Sequence, residues 1–164
     1  MAHRFTIKAT IPNVSLQEFK KLAADTTLHE AVCKRIPGEN LKIIESSITG
    51  DIYTLKRSYN LDVNIPDIAK KLLKDAFKLH RTDVTNLDIL ESTVVLGANL
   101  SLEASCDRFV TGDDQQIHIS LAWLVKVPLV SGMLERHAEG EIRKFSEIEI
   151  AIVEDEIRKQ LNQS

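Results

Sequence analysis

The apolar pattern of this chain switches period at Pro128, so that a long strand hands over directly to a long helix. From 115 to 127, Ile117, Ile119, Leu121, Trp123, Val125 and Val127 recur at every second position, the signature of a strand with one buried face. Beyond Pro128, Val130, Leu134, Ala138, Ile142, Phe145, Ile148, Ile152 and Val153 recur at three- and four-residue steps as far as Leu161, which is the helical period. A helix of that length with one apolar side needs an equally extended apolar surface to lie on. In this chain only a sheet supplies one.

The remaining segments supply the sheet. Residues 3–11 alternate as a strand and stop at Pro12 and Asn13, which remove a ladder donor and favour a turn. Ser15 with Glu18, and Thr27 with Glu30, have capping-box spacing and predict two short helices, the second ended by Pro37 and Gly38. Strands over 41–48 and 52–63 flank a tight turn at Gly50. Residues 67–77, after Pro66, read as a short helix carrying Ile68, Leu72 and Leu73 on one side. Strands over 78–84, 90–96 and 100–109 follow, with breaks at Asn86, 97–99 and 112–114. With the strand after Gln115 the total is seven. No repeat or low-complexity linker divides the chain, so residues 1–164 are expected to form one domain.

The order of strand, two helices, six strands and a long helix predicts an α+β fold. In it a curved antiparallel sheet carries the C-terminal helix over its concave face. If the two short helices plug one end, side chains need not fill the middle, and a pocket results. This arrangement resembles the START-like (SRPBCC) superfamily, the birch-pollen-allergen or helix-grip fold, over nearly the whole chain. Within it the sequence looks most like a bacterial group called domain of unknown function 2505. The carrying segments are 5–14, where a strand runs through Ile11 and Pro12 into the first helix; 79–82 with Arg81 and Thr82; and 125–132, followed by a helix with Glu135 and Glu149. From about Leu87 to Asn99 the likeness is one of rhythm only, which leaves strand register there open. Members of the superfamily bind lipids, sterols, polyketides or other apolar molecules, and some are cyclases, hydrolases or chaperone cofactors. The resemblance implies a pocket and leaves its chemistry open.

Composition removes several alternatives. Twenty-one Lys and Arg against 24 Asp and Glu give a net charge of −3 with no basic block, so nucleic acid is not an expected partner. No apolar run approaches the roughly 20 residues of a membrane span. Cys33 and Cys106 lie far apart without Cys-x-x-Cys spacing, and the expected setting is reducing and cytoplasmic. The five histidines show no paired metal spacing, and no phosphate loop or serine elbow is present, so neither a metal nor a cofactor is expected. Cys106 reads as a small buried hydrophobe in strand phase with Leu102 and Ala104.

Strand parity names the residues that face the pocket. Tyr53, Leu55, Arg57, Tyr59, Leu61 and Val63 share one face, and Leu79 and Arg81 share another of the same kind. Two arginines thus fall in phase with apolar neighbours, where a charge is costly. On the long helix Glu141 and Glu149 fall inside the apolar arc. Two readings of these charges stand side by side. Arg57 and Arg81 pair with Glu141, Glu149 or aspartates and hold the helix to the sheet; or they anchor the polar head of a ligand whose body lies among Tyr53, Leu121, Trp123, Phe145 and Ile148. Tyr53, Tyr59 and Trp123 either line a cavity or fill the core.

The function expected on these grounds is binding or carriage of an apolar small molecule, such as a lipid, fatty acid or similar amphiphile. The alternatives are a cyclase- or hydratase-type enzyme using Glu141, Glu149 or His137 as acid or base, and an interaction module using the charged helix face of Arg136, Glu139, Arg143 and Glu154.

Overall fold

Alternating segments pair into one antiparallel sheet in the computed structural model, which describes residues 2–61, 77–99, 102–127 and 132–162. Its strands are β1 (His3–Pro12), β2 (Glu39–Thr49), β3 (Ile52–Asn60), β4 (Leu79–Asn86), β5 (Glu91–Ala98), β6 (Glu103–Gly112) and β7 (Gln116–Lys126), in the spatial order β1-β7-β6-β5-β4-β3-β2. The first strand therefore pairs with the last, and β1 and β2 form the two edges. Three helices accompany the sheet among the described residues: α1 (Leu16–Ala23), α2 (Thr26–Arg35) and α3 (Gly132–Asn162). Of the helix expected over 67–77, residues 67–76 lie outside the described residues, as does Pro128 itself, and Phe77 is not helical.

Period-two burial appears in the strands as the sequence requires. On β7, Ile117, Ile119, Leu121, Trp123 and Val125 are buried; opposite them stand Phe5, paired with Trp123 on one side, and Cys106, paired with it on the other. Directly opposed residues share a face, so one apolar surface runs across β1, β7, β6 and β5. The β4–β5 register, left open by the sequence, pairs Asn86 with Glu91 and Arg81 with Leu96. Gly97 was expected at a break but lies inside β5 opposite His80, because β5 continues pairing as far as Ala98. Gly50 takes φ 61° in the β2–β3 turn, a conformation that favours glycine. Gly112 is needed for a different reason: a Cβ there would stand 2.4 Å from the Gln116 carbonyl oxygen.

The helix starts follow side-chain capping. Ser15 accepts from the Glu18 amide at 3.0 Å and its own amide donates to the Glu18 carboxylate at 2.9 Å, a complete capping box. For α2 the expected Thr27–Glu30 box does not form. Asp25 is the cap, accepting from the amide and the hydroxyl of Thr27 at 2.9 and 2.8 Å. A carboxylate two residues upstream accepts both donors and so shifts the start of the helix.

Helix α3, 31 residues, lies against β1, β7, α1 and α2. Leu134 and Ile157 are buried, and Ala138, Ile142, Ile150, Ile152, Val153 and Leu161 pack partly buried on the main core. Polar ties reinforce this seat. Glu139 pairs with His3; Arg143 donates to the Thr6 carbonyl at 3.4 Å and lies 5.1 Å above the Phe5 ring. Arg158 donates to the carbonyls of Pro12 and Asn13, and Arg35 of α2 reaches Asp155 and Glu156. Glu139 and Arg143, read from sequence as part of a face for a partner protein, are therefore occupied at least in part by β1 of the same chain.

Candidate functional site

The buried residues of the described chain divide into two apolar clusters. The larger spans β1, β3–β7 and all three helices; the smaller consists of Tyr53, Leu55 and Leu87, with Ile43 packed against it. A cavity of about 100 Å³ draws its wall from both. Its apolar side is Phe19, Ala23, Leu28, Val32, Leu55, Leu90, Val110, Ile119 and Val153, and its polar side is His29, Tyr53, Arg57, Asp83, Thr85, Ser92, Arg108 and Glu149. The wall thus combines α1, α2, the inner faces of β3–β7 and one stretch of α3. Leu90, at the β4–β5 turn, reaches it from a left-handed backbone (φ 56°), a strained conformation for a branched side chain, with that side chain buried.

The polar side is a charge cluster centred on Asp83. Antiparallel register stacks Arg57 opposite Arg81 and Leu55 opposite Asp83, so parity delivers these charges to the inner face together. Arg81 donates to both oxygens of Asp83, at 2.8 and 3.0 Å, and to both oxygens of Glu149 on α3, at 3.0 and 3.2 Å. Four of its five N–H donors are thus taken by carboxylates, and the helix is tied to β4 through it. Arg108 approaches Asp83 at 3.5 Å and donates to the Ser92 hydroxyl at 3.0 Å, while the Ser92 and Thr85 hydroxyls bond each other at 2.8 Å. Arg57 is different. Its side chain is 3% exposed, yet its nearest carboxylate oxygen, on Asp83, is 3.8 Å away, and its Nε is buried with no hydrogen-bond partner.

Electrostatics follow from this crowding. Burial alone would raise the Asp83 carboxyl, but the guanidiniums of Arg81, Arg57 and Arg108 outweigh it and hold the group well below the usual carboxylate range. Glu149 is likewise pushed up by burial and, more strongly, held down by Arg81 and Arg57 together. Burial lowers His29, opposed by the Ala23 carbonyl and reinforced by Arg108. The His29 Nε2 lies 2.9 Å from the Ala23 carbonyl oxygen, so that nitrogen carries the proton and Nδ1 is the unprotonated one; the ring stacks 4.5 Å from Tyr53. Cys106, 1% exposed, is pushed up to about 12, mainly by burial, and is no nucleophile.

The residues singled out from sequence separate into three groups. Tyr53, Arg57 and Glu149 lie in the cavity wall, and Arg81 lies just behind it, joining Asp83 to Glu149. Tyr59, Leu121 and Trp123 are buried in the larger apolar cluster. Glu141, Phe145 and Ile148 are half-buried on α3 and outside the cavity wall, with Glu141 4.0 Å from His137. The sequence reading passed over His29, Asp83, Thr85, Ser92 and Arg108. Parity held the signal for two of them, since Asp83 and Thr85 continue the phase of Arg81. Arg108 continues the phase of Cys106 in the same way. His29 became legible only once Asp25 set the start of α2. Among the described residues no group of three or more His, Cys, Asp and Glu side chains is arranged to hold a metal ion, and no helix is long and apolar enough to cross a membrane.

No protein-family model and no curated protein matches the chain. The narrower likeness to domain of unknown function 2505 therefore gains no support. Solved structures do match over nearly full length. The Zhui aromatase/cyclase from Streptomyces sp. R1128 is 10% identical with a TM-score of 0.67, covering 98% of this chain and 96% of its own. Ara h 8.0201 is 9% identical with a TM-score of 0.64, covering 97% and 99%. Norcoclaurine synthase from Thalictrum flavum is 11% identical with a TM-score of 0.57, covering 100% and 88%. At such identities the likeness carries the fold: this chain has the helix-grip fold, a curved seven-stranded antiparallel sheet gripped by a long C-terminal helix.

Proposed function

We propose that this helix-grip chain binds a small molecule with an apolar body in the cavity between α1, α2, α3 and the inner face of the sheet. The observation that carries the reading is the two-sided wall. Phe19, Val32, Val110 and Val153 offer apolar surface on one side, and Arg57, Ser92 and Arg108 offer donors on the other. Ligand sites combine those features, with apolar area for affinity and a few polar groups for orientation. The volume of about 100 Å³ favours a compact ligand over a long acyl chain, because pockets for drug-sized molecules run to roughly 300–1,000 Å³. Two buried, unpaired cysteines favour a reducing, cytoplasmic setting.

The test is a titration with benzene-sized neutral aromatics followed by methyl NMR. Saturable shifts confined to Val32, Val110, Val153 and Ile119 are expected. Shifts spread over the exposed outer-face side chains Val84 and Val95, with the cavity methyls silent, would contradict the reading.

A second reading, acid–base catalysis in the same cavity, is favoured by His29. A neutral imidazole with its tautomer fixed by the Ala23 carbonyl is suited to accept a proton through Nδ1. Glu149 is less suited to act as a general acid, since Arg81 and Arg57 keep it ionised. Two of the matched structures are named as enzymes, an aromatase/cyclase and a norcoclaurine synthase. Conversion of a candidate substrate that is abolished by His29→Asn, with binding retained, would establish this reading over simple carriage.

A further inference from the structure

We infer that the cavity's ligand is a monoanion, a compact organic carboxylate whose head group sits between Arg57 and Arg108. This rests on the binding reading above and adds the charge and chemical class of the ligand. Three guanidiniums, those of Arg57, Arg81 and Arg108, share two carboxylates, Asp83 and Glu149, which leaves one positive charge without a counter-ion. That excess is not spread evenly. Arg81 commits four of its five N–H donors to carboxylate oxygens. Arg57 has none, only the 3.8 Å approach to Asp83, a 6.0 Å approach to the Tyr59 ring and a buried, unpartnered Nε.

Leaving a buried guanidinium underpaired is unfavourable, and a folded chain rarely keeps one without a use for it. Arg57 lines the cavity, so an anion entering there meets its unsatisfied charge directly. Arg108 lines it as well; it donates to Ser92 at 3.0 Å and only at 3.5 Å to Asp83 and Thr85, which uses three of its five N–H groups and leaves donors for a further acceptor. Ser92 and Thr85 add hydroxyls beside it. One carboxylate balances the cluster, whereas a phosphate dianion overshoots by one buried negative charge. A forked guanidinium matches a planar carboxylate in geometry as well. The apolar wall opposite then takes at most a ring-sized body: the cavity measures about 100 Å³, below the roughly 150 Å³ of an apolar cavity that holds benzene, so a bound ring extends into the cavity's opening.

Calorimetric titration with benzoate, benzyl alcohol and phenyl phosphate, on the unmodified chain and on Arg57→Met and Arg108→Gln, tests this. Benzoate is expected to bind roughly tenfold or more tightly than benzyl alcohol, and more tightly than phenyl phosphate. The preference for benzoate over the alcohol is expected to collapse in Arg57→Met and to shrink in Arg108→Gln. Arg108 is the more exposed of the two and serves alone if Arg57→Met does not fold. Equal affinity for benzoate and benzyl alcohol would overturn the charge assignment while leaving the cavity reading intact, and so would a benzoate preference undiminished in either variant. Tighter binding of phenyl phosphate would replace the carboxylate with a dianion. If neither benzoate nor benzyl alcohol binds, the cavity reading itself fails.

Discussion

At the scale of single residues, Asp83 decides the site. It is the carboxylate on which three guanidiniums converge, at 6% side-chain exposure. Asp83→Asn leaves that positive charge compensated by Glu149 alone, and urea unfolding at pH 7 is expected to show a loss of about 3–5 kcal/mol. Arg57→Met should behave in the opposite way. Removing an underpaired buried cation is expected to leave stability within about 1 kcal/mol of the parent or to raise it. If both substitutions destabilise equally, Arg57 is as well satisfied as Arg81. The sequence exposed half of this cluster. Arg57 and Arg81 were visible because charge in phase with apolar neighbours is anomalous, but an aspartate near the end of a strand looks solvated until the assembled sheet brings three arginines to it. Arg108 shares the phase of Cys106, but pairing across strands is not a local property, so nothing in β6 alone sets it against Asp83, two strands away.

At the scale of elements, the period switch that opened the argument was reliable because strand and helix periods persist over ten or more residues. Ends were less legible. Asp25 moved the start of α2, β5 ran on through Gly97, and β6 extended to Gly112 beyond the expected stop at Phe109. A residue's propensity at such points competes with pairing that only the assembled sheet supplies. Gly112 illustrates it: its backbone angle makes no demand for glycine, but the returning strand does. Gly112→Ala is expected to destabilise the chain by about 1–3 kcal/mol in thermal or urea unfolding, because the 2.4 Å approach to the Gln116 carbonyl is to backbone that cannot rotate away. Gly97→Ala, with open space around the added methyl, is the matched control and should be nearly neutral. Equal losses at both positions would mean that strand propensity, not close approach, sets the requirement.

At the scale of the molecule, the sheet, the helices and the buried charges respond to pH as one body. The ordinary values of Asp83 and Glu149, 3.8 and 4.5, are both depressed on folding, so the unfolded chain binds their protons more tightly. The stability they contribute is present above about pH 4.5 and lost as pH falls through the folded values. His29, depressed from 6.5 amid Arg108, Arg57, Asp83 and the Ala23 carbonyl, adds a loss that begins higher, as pH drops below 6.5. Urea midpoints from pH 8 to 3 are therefore expected to decline in two stages, and His29→Asn should remove the upper one. An unchanged upper stage would assign it to another group. The central claim is the ligand space between α1, α2, α3 and the sheet, and anomalous diffraction from crystals exposed to bromobenzene vapour tests it most directly. The account predicts a bromine peak bounded by Phe19, Val32, Val110 and Val153. Bromine found only on the outer face, with protein atoms filling the space behind Arg57, would contradict it.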